Sequence, residues 1–303
     1  MKMRTLLLAV LALTLALPGV AQAQQGVTYP LTLTDSVGRQ VTLDAPPQRI
    51  VSLAPAHTEI LWAIGAGDQQ VGRTEFCNYP PEVASIEVVG QYTPDTISVE
   101  KIVELDADLV VGDSLHQEMA ATFESLGIPF FVLVPLELRG LYADILKLGL
   151  LTDHVTEAAQ VVVDMEARVS AVVFKLAEEV PAAERKTFFY EVWNDPLMTA
   201  GPSTFLSEIV TTAGGVNIFA DLTDAYPTVS AEAVIERNPD VIVGGSFIDP
   251  EGIAAREGWD AITAVAENAI YPLNDDIMQR PGPRMAEAVE LVAQALYPDV
   301  FGQ

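Results

Sequence analysis

SVEKIVELDADLVVG, residues 98–112, and SAEAVIERNPDVIVG, residues 230–244, align without a gap. Ser98 matches Ser230, Glu100 matches Glu232, Glu104 matches Glu236, Asp108 matches Asp240, Val111 matches Val243 and Gly112 matches Gly244, and the intervening apolar positions agree in kind. Each copy reads as a short helix followed by a strand. The serine stands where an N-cap belongs, its hydroxyl placed to accept from an unpaired amide of the first turn. The glutamate two residues on falls in that first turn, where the helix dipole favours negative charge. The closing Asp-Leu-Val-Val-Gly and Asp-Val-Ile-Val-Gly are continuous apolar runs of the kind buried in a parallel sheet. A unit of this length occurring twice predicts two similar lobes, each presenting one carboxylate at an exposed helix start. A single glutamate of this kind is accounted for by the dipole alone. A matched pair on pseudo-symmetric lobes suits a two-fold symmetric partner carrying cationic sockets. A fainter echo pairs Glu59-Ile60-Leu61 up to Gly65 with Glu208-Ile209-Val210 up to Gly214.

Outward from the repeat, strand and helix alternate in both halves. A hairpin is expected over residues 29–43 and a strand at 49–53. A helix opens at Thr58-Glu59 and stops at Gly65-Ala66-Gly67. Further strands are expected near Val71 and Val88 and over 129–134, with a helix over 118–126. After Pro181 the alternation resumes over 187–192, 204–212 and 240–244, with a closing helix over 284–296. Between the halves lies the longest helical pattern, residues 153–179. Val155, Ala158, Ala159, Val162, Met165, Val169, Val172, Val173 and Leu176 recur there at spacings of three and four, uninterrupted by glycine or proline. At ~1.5 Å per residue it extends about 40 Å, a stiff connector rather than a flexible linker. The expected fold is therefore α/β: two similar lobes with central sheets flanked by helices, joined by one long rigid helix. The lobes are assigned to residues 27–137 and 182–303, with the connector at 138–181.

The first residues read as a targeting segment. Lys2 and Arg4 precede the apolar run 6–17, and Ala21-Gln22-Ala23 supplies a small-x-small cleavage pattern, so a signal peptide spanning 1–23 is expected. Cleavage would leave no cysteine at the new terminus, which favours a free periplasmic protein over a lipoprotein. The formal net charge of −26 becomes −28 once Lys2 and Arg4 are removed. A field of that sign repels nucleic acid and anionic lipid. Cys77 is the one cysteine, so no intramolecular disulfide forms, and its expected role is a small buried filler.

RIVSLAPAHTEILWAIGAG (49–67), VGRTEFCNYPP (71–81), the paired Ser-x-Glu units and the two apolar strands that follow them resemble the class III periplasmic binding proteins. These are the cobalamin, siderophore and haem carriers of ABC importers. The resemblance covers residues 49–298 or so. It implies two α/β lobes joined by a long helix, a ligand held between them, and small lobe movements on binding. It further implies that one glutamate per lobe engages arginines of the permease dimer in the inner membrane, a role that carries over to Glu100 and Glu232. The similarity is greatest to cobalamin-binding members, through TEFCNYPP and the late Gln279-Arg280-Pro281-Gly282-Pro283-Arg284. By position Phe76, Tyr92 and Tyr226 correspond to aromatics that grip the corrin, although two extra residues lie between Tyr92 and Glu100. Trp193 is a further candidate for the cleft wall. Arg280 and Arg284 are candidates for ligand amides, phosphate or carboxylates. A monomer is expected, with no catalytic residue, no cofactor beyond the bound corrinoid and no bound metal of its own.

Other classes fare worse. No nucleophile elbow, phosphate-binding loop or His-Glu-x-x-His motif occurs, and His57, His116 and His154 are too scattered for a zinc carrier. Within the resemblance, haem competes with the corrinoid, with Tyr92 as iron ligand and His57 as an axial partner, and ferric siderophores also stay open.

Overall fold

The computed structural model describes residues 26–302, so the targeting segment read over residues 1–23 lies outside the described residues. An antiparallel hairpin of β1 (Leu31–Thr34) and β2 (Gln40–Leu43) comes first. There follow β3 (Ile50–Ser52), α1 (Pro55–Ala63), β4 (Gln70–Thr74), β5 (Glu87–Gly90), α2 (Val99–Glu104), β6 (Leu109–Gly112), α3 (Ala120–Ser125) and β7 (Phe130–Val132). Two long helices, α4 (Leu138–Thr152) and α5 (Val155–Glu179), lead to the second half. That half contains β8 (Thr187–Asn194), β9 (Leu197–Thr199), α6 (Phe205–Thr212), β10 (Val216–Asn217), α7 (Ala231–Arg237) and β11 (Val241–Gly245). It closes with α8 (Pro250–Ala254), α9 (Thr263–Ala266), β12 (Ile270–Leu273), α10 (Asp275–Met278), α11 (Met285–Leu296) and α12 (Pro298–Phe301).

The first sheet has the order β5-β4-β3-β6-β7, all parallel; the second has the order β10-β8-β11-β12, also parallel, with β9 antiparallel on β8. The path β4-β3-β6-β7 therefore has its counterpart in β10-β8-β11-β12. The identities in the repeat are explained by what each residue does. Ser98 Oγ accepts from Lys101 N at 3.2 Å and Ser230 Oγ from Ala233 N at 3.2 Å, starting α2 and α7 in the same way. Asp108 takes the amides of Gln48 and Arg49 at 2.7 and 2.8 Å, and Asp240 takes the amide of Thr187 at 2.7 Å. Each aspartate thus pins the start of the neighbouring central strand. The fainter echo is equally real in three dimensions. Gly65 and Gly214 both hold φ in the left-handed region, +85° and +93°. There they let Ala66 N reach Leu61 O (2.8 Å) and Gly215 N reach Val210 O (2.9 Å), ending α1 and α6 alike.

The central strands are buried throughout, and successive residues face opposite sides of each sheet. Ile50, Leu109 and Val111 face one core, and Val51 and Val110 face a separate cluster on the other side. In the second sheet Val241 and Val243 face that same first core, while Ile242 faces a third cluster around Trp259. One core is therefore shared between the lobes. It is completed by α4, by α11 and by the α5 residues Ala158, Val162, Met165, Val172 and Leu176. The long helix expected over 153–179 is α5. The connector has a second member that the sequence reading did not separate out: α4, which packs along α5 as an antiparallel partner. A bidentate ion pair, Arg168 to Glu290 at 2.8 and 2.6 Å, fastens α5 to α11.

Met165 is 3% exposed at the middle of this shared core. Met165→Ala is expected to cost about 2–5 kcal/mol. Because both lobes pack on the same helix, calorimetry should show one transition moved to lower temperature. A split into two transitions, one of them unmoved, would contradict the shared core.

Candidate functional site

The carboxyl ends of the parallel strands in both lobes face a common cleft of about 840 Å³, the position at which open α/β sheets bind ligands. From the first lobe, Ala54 to His57 enter it after β3, Asp113 and Ser114 after β6, and Leu133 to Pro135 after β7. The loops after β4 and β5 add Phe76, Gln91, Tyr92 and Thr93. From the second lobe come Tyr226, ahead of α7, and Asp275, Asp276, Gln279, Arg280 and Pro281, after β12. Phe76 is 53% and Tyr226 49% exposed. Aromatic faces left open in a concavity suit a ligand-binding wall. Phe76 meets Tyr92 edge-on with ring centroids 6.3 Å apart.

Tyr92 is held by a network. Its hydroxyl donates to Asp113 Oδ2. His116 lies on the other side, Nδ1 2.8 Å from Asp113 Oδ1 and Nε2 2.8 Å from the Tyr92 carbonyl. Asp113 Oδ1 also accepts from Leu115 N at 2.9 Å. Burial pushes the Asp113 carboxyl up, but hydrogen bonds from His116 and Tyr92 outweigh it and hold the group at about 2. The Tyr92 phenol goes the opposite way. Burial first, then donation to Asp113 and that carboxylate's charge, push it far above the ordinary tyrosine value. His57 lies in the cleft floor but is buried, 2% exposed, and burial lowers its pKa to about 4, with Asp113 only partly opposing. Its imidazole is neutral and its buried Nδ1 has no hydrogen-bond partner.

Arg280 is the cleft's one lysine or arginine among the lining residues, and its charge is already met. Nη1 donates to Asn78 Oδ1 at 2.6 Å and reaches Glu59 Oε1 at 3.5 Å, and Nη2 donates to Asp276 Oδ1 at 2.5 Å. Arg284 does not line the cleft. It grips the buried Glu59 carboxylate with Nε and Nη2 at 2.8 and 2.6 Å and stacks 4.3 Å from the Tyr79 ring centroid.

The remaining candidates fall as follows. Trp193, expected in the cleft wall, is not among its lining residues. Its indole N–H donates to the Asp195 carbonyl at 2.8 Å, within the turn from β8 to β9, and its ring sits 6.2 Å from Phe247. That bond ties the ring to its own hairpin. Glu100 and Glu232 stand exposed in the first turns of α2 and α7. The Glu232 carboxyl is lowered by its own backbone N–H and by Ser230. Cys77 is fully buried with Sγ 3.2 Å from Thr74 Oγ1, and burial raises its thiol pKa. Sequence reasoning missed Asp113, His116, Asp275 and Asp276. Asp113 and Asp275 each lie within two residues of a strand's carboxyl end, and that placement was the available signal.

A family model described as "Periplasmic binding protein" matches residues 50–277. An uncharacterized ABC transporter substrate-binding lipoprotein of Bacillus subtilis is 32% identical over 92% of this chain and 89% of its own. A cobalamin-binding protein of Halobacterium salinarum is 30% identical over 97% of this chain and 84% of its own. Among solved structures, the periplasmic vitamin B12 binding protein of Vibrio cholerae superposes with a TM-score of 0.69 at 30% identity, covering 84% of this chain and 98% of that one. The shared fold, the cleft at the strand ends and these matches agree: the chain belongs to the periplasmic binding protein family, solute-binding components of ABC transporters and not enzymes.

Proposed function

We propose that this protein binds a corrinoid in the inter-lobe cleft and delivers it to its permease. The observation that carries the reading is the cleft's balance of charge. Its walls offer aromatic faces from both lobes, Phe76, Tyr92 and Tyr226, and two carboxylates, Asp113 and Asp275, that no lysine or arginine neutralises, beside the Asp276–Arg280 pair. The cation Arg280 already has Asp276 and Glu59 beside it. A ligand bearing several carboxylates or catecholates would set its charge against these groups. A corrinoid is broad and flat, and it carries peripheral amides whose N–H groups suit carboxylate acceptors.

Haem fits less well on two counts. Its propionates meet the same carboxylates, and iron ligation by Tyr92 requires the phenolate, which burial and Asp113 oppose. The neutral His57 ring keeps Nδ1 buried below the cleft surface.

Glu100 and Glu232 are proposed to dock on the two permease subunits, one lobe to each. They are exposed, occupy equivalent first turns and repeat the same capping chemistry. On this reading the protein works in the periplasm and delivers to an inner-membrane partner.

Titration calorimetry with cyanocobalamin, haemin and a ferric catecholate siderophore tests the ligand. Cyanocobalamin should bind at micromolar concentration or tighter, and Tyr226→Ala should weaken it about tenfold. Tighter binding of haemin, with a Soret band lost in Tyr92→Ala, would replace the corrinoid by haem. Docking is tested in proteoliposomes carrying the permease. The double variant Glu100→Ala, Glu232→Ala should abolish uptake and leave cyanocobalamin affinity within about twofold. A comparable loss of affinity in the double variant would remove the docking role.

A further inference from the structure

The fainter repeat carries a glutamate on each lobe at the same helix position, Glu59 in α1 and Glu208 in α6. Neither is used in its own lobe. Glu59 is 3% exposed, and its carboxylate is taken by Arg284, with Arg280 beside it, both from the chain after β12 in the opposite lobe. Asn78 and Tyr79 extend this contact, Asn78 to Arg280 and Asp276 and Tyr79 to the face of Arg284. Glu208 Oε2 accepts from Leu138 N at 2.9 Å, the first amide of α4, where the chain leaves the first lobe. Burial raises the Glu208 carboxyl, and the Leu138 amide partly offsets it. One contact borders the cleft at Arg280 and Pro281. The other lines a neighbouring hollow of about 630 Å³ that meets the cleft at Val134 and Pro135.

We infer that Glu59 and Glu208 are a duplicated pair of ties, Glu59 between the two lobes and Glu208 from the second lobe to the start of the connector, positioning residues that hold the unliganded lobes at one fixed opening. A buried carboxylate held by a bidentate arginine has strong directional preference and no competing solvent. The lobes therefore cannot swing without stripping Glu59 of its partners. Fixing the opening also fixes the spacing of α2 from α7. On the docking reading above, this keeps Glu100 and Glu232 spaced for the permease whether or not ligand is present. The ties themselves do not depend on that reading.

Spin labels at Glu104→Cys and Glu236→Cys, exposed equivalent positions in α2 and α7, report the lobe separation without any ligand; Cys77 is buried and stays unlabelled. The otherwise unaltered labelled protein should give one narrow distance population. Adding Glu59→Gln with Glu208→Ala should broaden it or add a longer one. Glu208→Gln keeps an acceptor for the Leu138 amide and should restore the narrow distribution when Glu59 is intact. Should Glu59→Gln unfold the chain, Arg284→Lys keeps the charge while removing the fork, and broadening is expected there too. An unchanged distribution in these folded variants would overturn the ties. Uptake separates the two readings. Broadened labels with normal uptake would leave the ties standing and remove their link to docking, whereas failure of the Glu100, Glu232 variant bears on docking alone.

Discussion

The apolar stripe of α5, packed on α4, α1 and α11, is the contact on which the rest of the molecule depends. It joins the inner faces of both sheets into one core, so the two lobes share their hydrophobic stabilisation. Two copies of one α/β unit set on a common spine bring their strand carboxyl ends toward each other. The cleft is the space left between them. A linker of glycine and serine would have left that space undefined. The helical hairpin gives it fixed walls, and the Arg168–Glu290 pair and the contacts of Glu59 and Glu208 close the assembly around it.

Electrostatics then select what the cleft accepts. The whole chain carries −26, and the cleft shares that sign, with Asp113 held ionised by His116 and Tyr92. Long-range repulsion and local acceptors act in the same direction against an anionic ligand. The ionised Asp113 also fixes the Tyr92 phenol as a donor whose ring packs beside Phe76. The aromatic wall is thus preorganised by a buried polar network rather than by packing alone.

Much of the fold was legible because its determinants are local. Ser98 and Ser230, Asp108 and Asp240, Gly65 and Gly214 each perform a backbone task that only a few residue types can perform. Their recurrence therefore announced the duplication. The separate helix α4 was not read, because Leu138 to Thr152 is apolar on the face that meets α5 and lacks a capping side chain at its start. The site was legible only in part. Phe76, Tyr92, Tyr226 and Arg280 line the cleft, but their neighbours Asp113, Asp275 and Asp276 come from different lobes and meet only after folding. Trp193 is not among the cleft's lining residues; an aromatic at a strand end looks the same in sequence whether it lines the cleft or bonds back to its own turn, as this one does. The partners of Glu59 lie more than 200 residues away, beyond any local pattern.

On the proposed reading the cleft recognises a flat ligand through amides rather than acids. The most direct measurement compares cyanocobalamin with a corrinoid whose peripheral amides have been hydrolysed to carboxylates, by calorimetry at one ionic strength. The ring system and its stacking are common to both, so the difference isolates the acceptor-rich wall. The carboxylate form is expected to bind at least about a hundredfold more weakly, near 2.7 kcal/mol. Equal affinity for the two would contradict the account.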